Sequence, residues 1–132
     1  MKNKIIVSLA ALFISGPLMA AEQVHGLAVH ATQNETSKII KGKITGYETA
    51  DHTVQVAAGQ TLSVNLNTSN TSGYFNITAQ GANEAMFVGS TSGNTYEAVI
   101  PASGVYTIRV YMMRNAARRD EVAKYTLSIK AK

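Results

Sequence analysis

The sequence predicts an all-β protein, an antiparallel β-sandwich made as a single domain, and three observations support it. Leu62, Val64 and Leu66 alternate with Ser63, Asn65 and Asn67, the period-two pattern of a strand with one face on a core and the other in water. Similar short runs recur from Ser37 to the end of the chain. Clusters of Gly, Asn, Ser and Pro separate them at the spacing of a sandwich or barrel.

Residues 1–20 read as a secretory signal peptide. Lys2 and Lys4 form a positive start, Ile5 to Ile14 an apolar stretch, and Leu18-Met19-Ala20-Ala21 a cleavage site of the small-residue kind. The stretch is too short and wrongly flanked for a transmembrane helix, and no later one is apolar enough to span a membrane. The β-sandwich domain is therefore expected at residues 21–132, with no membrane insertion of the mature chain. A short lysine-led leader is bacterial in style and makes the periplasm the expected location. No lipobox cysteine is present for lipid anchoring.

Val24 to Ala31 is a candidate edge strand. Ile40, Lys43-Ile44 and Thr45 form a strand leading to Gly46-Tyr47, and Val54 and Val56 pattern the next, closed by Ala58-Gly59-Gln60. After the Leu62–Leu66 strand come Phe75 and Ile77, then Met86 and Val88, then Tyr96, Ala98 and Ile100. Turn clusters lie at residues 67–73, 81–83, 92–94 and 101–104. In the segment from Val105 to Met112, Tyr106, Ile108, Val110 and Met112 share an apolar face, opposite Val105, Thr107, Arg109 and Tyr111. Asn115 to Ala123 has room for one helical turn at most. Tyr125, Leu127 and Ile129 close the chain. The expected core is Leu62, Val64, Leu66, Phe75, Ile77, Ile108, Val110, Leu127 and Ile129.

Cysteine is absent, so this small secreted domain must hold itself together by apolar packing and ladder hydrogen bonds without disulfides. Removing Lys2 and Lys4 takes the net charge from 12 − 8 = +4 to 10 − 8 = +2, which is not the balance of a nucleic-acid binder. The charge is concentrated locally. Arg114, Arg118 and Arg119 arrive within six residues, where the alternation stops and a loop must begin. A guanidinium presents a planar fork that pairs carboxylates bidentately, so a rigid sheet displaying such forks suits an acidic site on a partner.

Other chemistries find little support. His25, His30 and His52 show no metal-ligand spacing and read as solvent-exposed; with no cysteine and two aspartates, no metal site or cofactor is expected. Gly89-Ser90-Thr91-Ser92-Gly93 resembles a nucleophile elbow, but Thr91 holds the central position and the pattern reads as a hairpin turn. Sequons at Asn34, Asn67, Asn70 and Asn76 reflect turn composition. Catalytic residues are expected to be none, because no nucleophile or acid/base pair appears.

Lys41-Gly42-Lys43-Ile44-Thr45-Gly46, Ala58-Gly59-Gln60-Thr61-Leu62-Ser63-Val64 and Ser103-Gly104-Val105-Tyr106-Thr107-Ile108-Arg109-Val110 resemble the bacterial pre-peptidase C-terminal domain, a jelly-roll-like sandwich. Within that group, Ile100-Pro101-Ala102-Ser103-Gly104, Arg114-Asn115-Ala116-Ala117-Arg118 and Lys124-Tyr125-Thr126-Leu127-Ser128-Ile129 resemble the periplasmic inhibitors of g-type lysozyme. The resemblance implies a non-enzymatic inhibitor whose partner is g-type lysozyme, with loops entering the enzyme's substrate cleft. It implies contacts by Tyr47, Arg114 and Arg118, with Ser103, Met113, Asn115 and Arg119 as secondary candidates.

Bland alternatives stand beside each. Arg114 and Arg118 would brace the loop if they bridged to Asp120, Glu121 or loop carbonyls, and Asp120 is an obvious neighbour for Arg119. Tyr47 suits packing at a strand end equally well. Ser103-Gly104 suits a tight turn that sends Tyr106 into the core. The competing function is a non-catalytic periplasmic sandwich module binding glycan, peptidoglycan or another envelope protein. The lack of tryptophan argues for a protein partner. Affinity, selectivity and oligomeric state are not written in the sequence.

Overall fold

In β3 (Thr61–Thr68) the expected alternation is met residue by residue: Leu62, Val64 and Leu66 are buried, Asn65 and Asn67 exposed. This is seen in a computed structural model that describes residues 35–132. The signal peptide at 1–20, the candidate edge strand at 24–31, His25, His30 and Asn34 lie outside the described residues. The remaining strands are β1 (Thr36–Thr45), β2 (Ala50–Val56), β4 (Gly73–Ala79), β5 (Phe87–Val88), β6 (Thr95–Val99), β7 (Gly104–Met112) and β8 (Val122–Ala131).

They form two antiparallel sheets, β1-β8-β3-β6 and β2-β7-β4-β5. The pairs β1–β8, β2–β7, β3–β6 and β4–β5 each join a strand to its mirror counterpart in chain order. That is a long hairpin folded over on itself, the eight-stranded jelly roll. One core cluster takes side chains from both sheets, among them Phe75, Ile77 and Ile108 from one and Leu62, Leu127 and Ile129 from the other. All nine expected core residues are buried. Tyr106 turns inward and its hydroxyl donates to the Ala102 carbonyl.

Three local expectations are corrected. In β5 the inward side chain is Phe87, whose ring lies 5.1 Å from both Phe75 and Tyr96. Met86 precedes the strand and is exposed; a flat ring fills the space between sheets better than the alternation through Met86 implied. Residues 89–93 do not form a hairpin turn. They include a one-turn helix, α1 (Gly89–Ser92), which begins at a glycine held so close to Phe75 that a Cβ would clash with the Phe75 carbonyl oxygen. Thr91 is exposed and its hydroxyl donates to the Val88 carbonyl. His52 is half-buried, not solvent-exposed, and shares a 3.0 Å hydrogen bond with the Tyr125 hydroxyl across the two sheets.

The topology sorts the connections. Segments 46–49, 69–72, 89–94 and 113–121 cross between sheets at one end of the sandwich. Segments 57–60 and 100–103 cross at the other.

Candidate functional site

The end carrying segments 46–49, 69–72 and 113–121 is tied together by backbone and side-chain bonds. The Gly46 N–H donates to the Glu121 carbonyl at 2.9 Å, and the Met113 N–H to the Ser72 carbonyl at 2.9 Å. Asn70 is the centre of the knot. Its amide nitrogen donates to the Glu121 carboxylate at 2.9 Å and to the Val122 carbonyl at 3.3 Å, while its oxygen accepts from the Ser72 N–H at 2.9 Å. Ser69 adds a reciprocal pair with Lys124. Three loops separated by long stretches of sequence thus behave as one rigid platform.

On that platform the expected helical turn appears as α2 (Arg114–Ala117). Ala116 and Ala117 are buried and anchor the turn, so Met113, Arg114, Asn115 and Arg118 are left exposed. The Arg118 N–H donates to the Arg114 carbonyl at 3.0 Å, which continues the helical spacing. Residues four apart on a helix share a face, with Cβ atoms about 6 Å apart. Arg114 and Arg118 therefore project side by side.

The four arginines of the chain divide into two kinds. Arg109 is committed to Asp51 through two bonds of 2.7 and 2.8 Å; this pairing holds the Asp51 carboxyl below its usual range and raises Arg109. Arg119 is committed to Glu121 at 2.6 Å, rather than to its neighbour Asp120. The Asn70 amide first, and then Arg119, hold the Glu121 carboxyl below its usual range. Arg114 and Arg118 have no side-chain hydrogen bond or ion pair to any described residue. The bracing role that sequence allowed for them is filled by Arg119 and Asn70 instead.

Tyr47 belongs to the same end. It follows Gly46, and the Glu48 N–H closes the turn on the Thr45 carbonyl at 3.0 Å. The turn is seated directly on the arginine loop: a Cβ on Gly46 would stand 2.9 Å from Asp120 Oδ1 and 3.3 Å from the Ala117 carbonyl oxygen. Gly46 also has φ +60°, where a side chain is strained. Asp120 meets it with φ +53°, a conformation that Asp tolerates better than most residues. Tyr47 itself is 66% exposed, so it is not a packing residue at a strand end.

Of the secondary candidates, Met113 and Asn115 sit beside Arg114 and are exposed. Ser103 is elsewhere. It precedes β7 whereas Met113 follows it, which separates the two by roughly 30 Å at strand rise, and its hydroxyl accepts from the Ala58 N–H at 2.8 Å. Sequence reasoning missed Asn70, whose neighbours in the run 67–73 look like ordinary turn composition, and missed the contact of Gly46 with Asp120. A glycine before an exposed tyrosine was the available signal for the second.

No protein-family model matches this chain, so the broader likeness to the pre-peptidase C-terminal domain rests on its short motifs. The chain is 27% identical over 129 residues to the inhibitor of g-type lysozyme of Escherichia coli strain K12, spanning 96% of this chain and 93% of that protein. The crystal structure of PliG from Salmonella Typhimurium, a periplasmic lysozyme inhibitor of g-type lysozyme, matches with a TM-score of 0.56 at 26% identity, over 73% of this chain and 87% of that one. The corresponding PliG of Aeromonas hydrophila matches with a TM-score of 0.66 at 34% identity, over 76% of this chain and 90% of that one. Identity at that level, maintained across nine-tenths of the Aeromonas protein and on the same sandwich, makes this chain a member of the family of periplasmic inhibitors of g-type lysozyme.

Proposed function

We propose that this protein inhibits g-type lysozyme in the periplasm by setting Tyr47, Arg114 and Arg118 into the enzyme's substrate cleft. It is a binding protein and not an enzyme, as its relatives are. The observation that carries the contact assignment is the division among the arginines: two are used up in internal ion pairs, and two stand unpaired on one exposed helical face.

A glycosidase cleft holds catalytic carboxylates among surfaces shaped for sugar rings. Two adjacent guanidinium forks can engage such carboxylates with charge-assisted bonds. Tyr47 offers a flat apolar ring with a hydroxyl, and Tyr and Arg are the residues that most often dominate binding energy at interfaces. The platform beneath them is rigid, so little ordering cost falls due on association. Met113 and Asn115 would flank the contact. Arg119 would support it from behind, and Ser103 stands outside it.

The test is muramidase activity of g-, c- and i-type lysozymes with increasing amounts of the secreted protein. Loss of g-type activity alone is expected. Absence of inhibition of the g-type enzyme at any concentration would overturn the proposal.

A further inference from the structure

A second surface is separate from the arginine platform. The outer face of the β1-β8-β3-β6 sheet carries Lys41, Lys43, Lys124 and Lys130, all exposed and with no side-chain hydrogen bond or ion pair to any described residue. Lys43 lies directly opposite Lys124 in the β1–β8 register. Like charges in directly opposed positions repel and destabilise a sheet. The other outer face does the reverse, pairing its cation Arg109 with Asp51. A lone acid, Glu97, stands on the far strand β6, where it accepts from the Ser63 hydroxyl.

The shape of the face is as informative as its charge. Lys41, Lys43 and Lys124 line an open trough of about 610 Å³ together with Asn67, Ser69 and Thr126. A smaller depression of about 320 Å³ lies on the same face, lined by Ser128 and Lys130 and also by Glu97. Three exposed cations around one open, concave stretch of sheet suit an extended anionic chain laid along the face. The amide and hydroxyl groups between the lysines are the hydrogen-bonding partners that sugar hydroxyls and acetamides require.

We propose that this trough binds a strand of carboxylate-bearing cell-wall glycan, lysines 41, 43 and 124 facing its carboxylates. The repulsion between Lys43 and Lys124, uncompensated in the free protein, is relieved when an anion lies between them. This proposal does not depend on the inhibitory reading, and its binding assay, unlike the control on the variants, contains no lysozyme.

The test is co-sedimentation of the secreted protein with purified peptidoglycan sacculi, for the wild type and for the triple variant Lys41→Gln, Lys43→Gln, Lys124→Gln. The variant should bind at least about tenfold more weakly, which is three charge contacts at the modest worth of exposed ion pairs. Binding should also fall with added salt and on amidation of the sacculus carboxyls. Lys43→Thr alone should weaken pelleting while raising the melting temperature, a combination that a purely structural lysine cannot give. Inhibition of g-type lysozyme on a short soluble substrate should be unchanged in the variants. Wild-type protein left in the supernatant, a triple variant that pellets like wild type, or binding to phosphatidylglycerol vesicles but not to sacculi would each overturn the proposal.

Discussion

Replacing Arg114, Arg118 and Arg119 one at a time by alanine tests the division among the arginines. Arg114 and Arg118 make no internal side-chain bond, and exposed substitutions of that kind shift stability by no more than about 0.5 kcal/mol. In a complex, each would leave an enzyme carboxylate desolvated and unpaired, a loss of ~2–5 kcal/mol. That corresponds to roughly a thirtyfold to several-thousandfold rise in the inhibition constant. Arg119→Ala should do the opposite. Its side chain is 58% exposed and already engaged by Glu121, so its loss should lower the melting temperature slightly and leave inhibition nearly intact, since Asn70 still holds Glu121. Arg114→Lys should recover only part of the loss, because an ammonium keeps the charge without the planar fork. The assays are inhibition titrations of g-type lysozyme beside thermal melts of each variant. Stable Arg114 and Arg118 variants that inhibit like wild type would refute the reasoning, and so would an Arg119 variant that stays fully folded yet no longer inhibits.

Gly46→Ala places a Cβ 2.9 Å from Asp120 Oδ1 at a φ that costs a non-glycine residue about 1–3 kcal/mol; both melting temperature and inhibition should fall, because the Tyr47 turn must lift off the arginine loop. Ile108→Ala, at a fully buried position, should cost about 2–5 kcal/mol in denaturant unfolding without touching the platform. Burial holds the His52 pKa below the ordinary imidazole value, so the fold favours the neutral ring. The stability this contributes is complete above the unfolded-state pKa and is lost as pH falls through the lowered folded value; melts taken through mildly acid pH should show a shallower decline for His52→Gln than for wild type. Intact-mass measurement on a periplasmic extract should find the mature chain beginning at Ala21 or one residue on, and a retained apolar leader would contradict the secretion reading.

The strands and their inward faces were legible because alternation is a local property: each of Leu62, Ile108 and Leu127 could be assigned from its immediate neighbours. Phe87 and the α1 turn were not, because their placement depends on Phe75, which pairs with them only after the chain has doubled back. The site divides in the same way. Tyr47, Arg114 and Arg118 are proposed from residue type and resemblance, and the sequence set Arg119 apart only by offering Asp120 as its partner. What separates it from Arg118 is that Glu121, fixed by Asn70 from another loop, captures Arg119 at 2.6 Å.

That capture explains how a loop can carry three arginines and remain ordered. If all three were free, the segment would pay for its mutual repulsion with no internal return. Pairing Arg119 with Glu121 anchors the loop's exit at the start of β8, and burying Ala116 and Ala117 anchors its middle. Arg114 and Arg118 are then held out on a turn that cannot collapse onto the nearest acid. Asp120, the neighbour that sequence offers as a partner, has a positive φ and its carboxylate lies against Gly46, beside the Tyr47 turn and in no ion pair with Arg114 or Arg118. The same contact therefore joins the two loops and leaves their charges available to a partner.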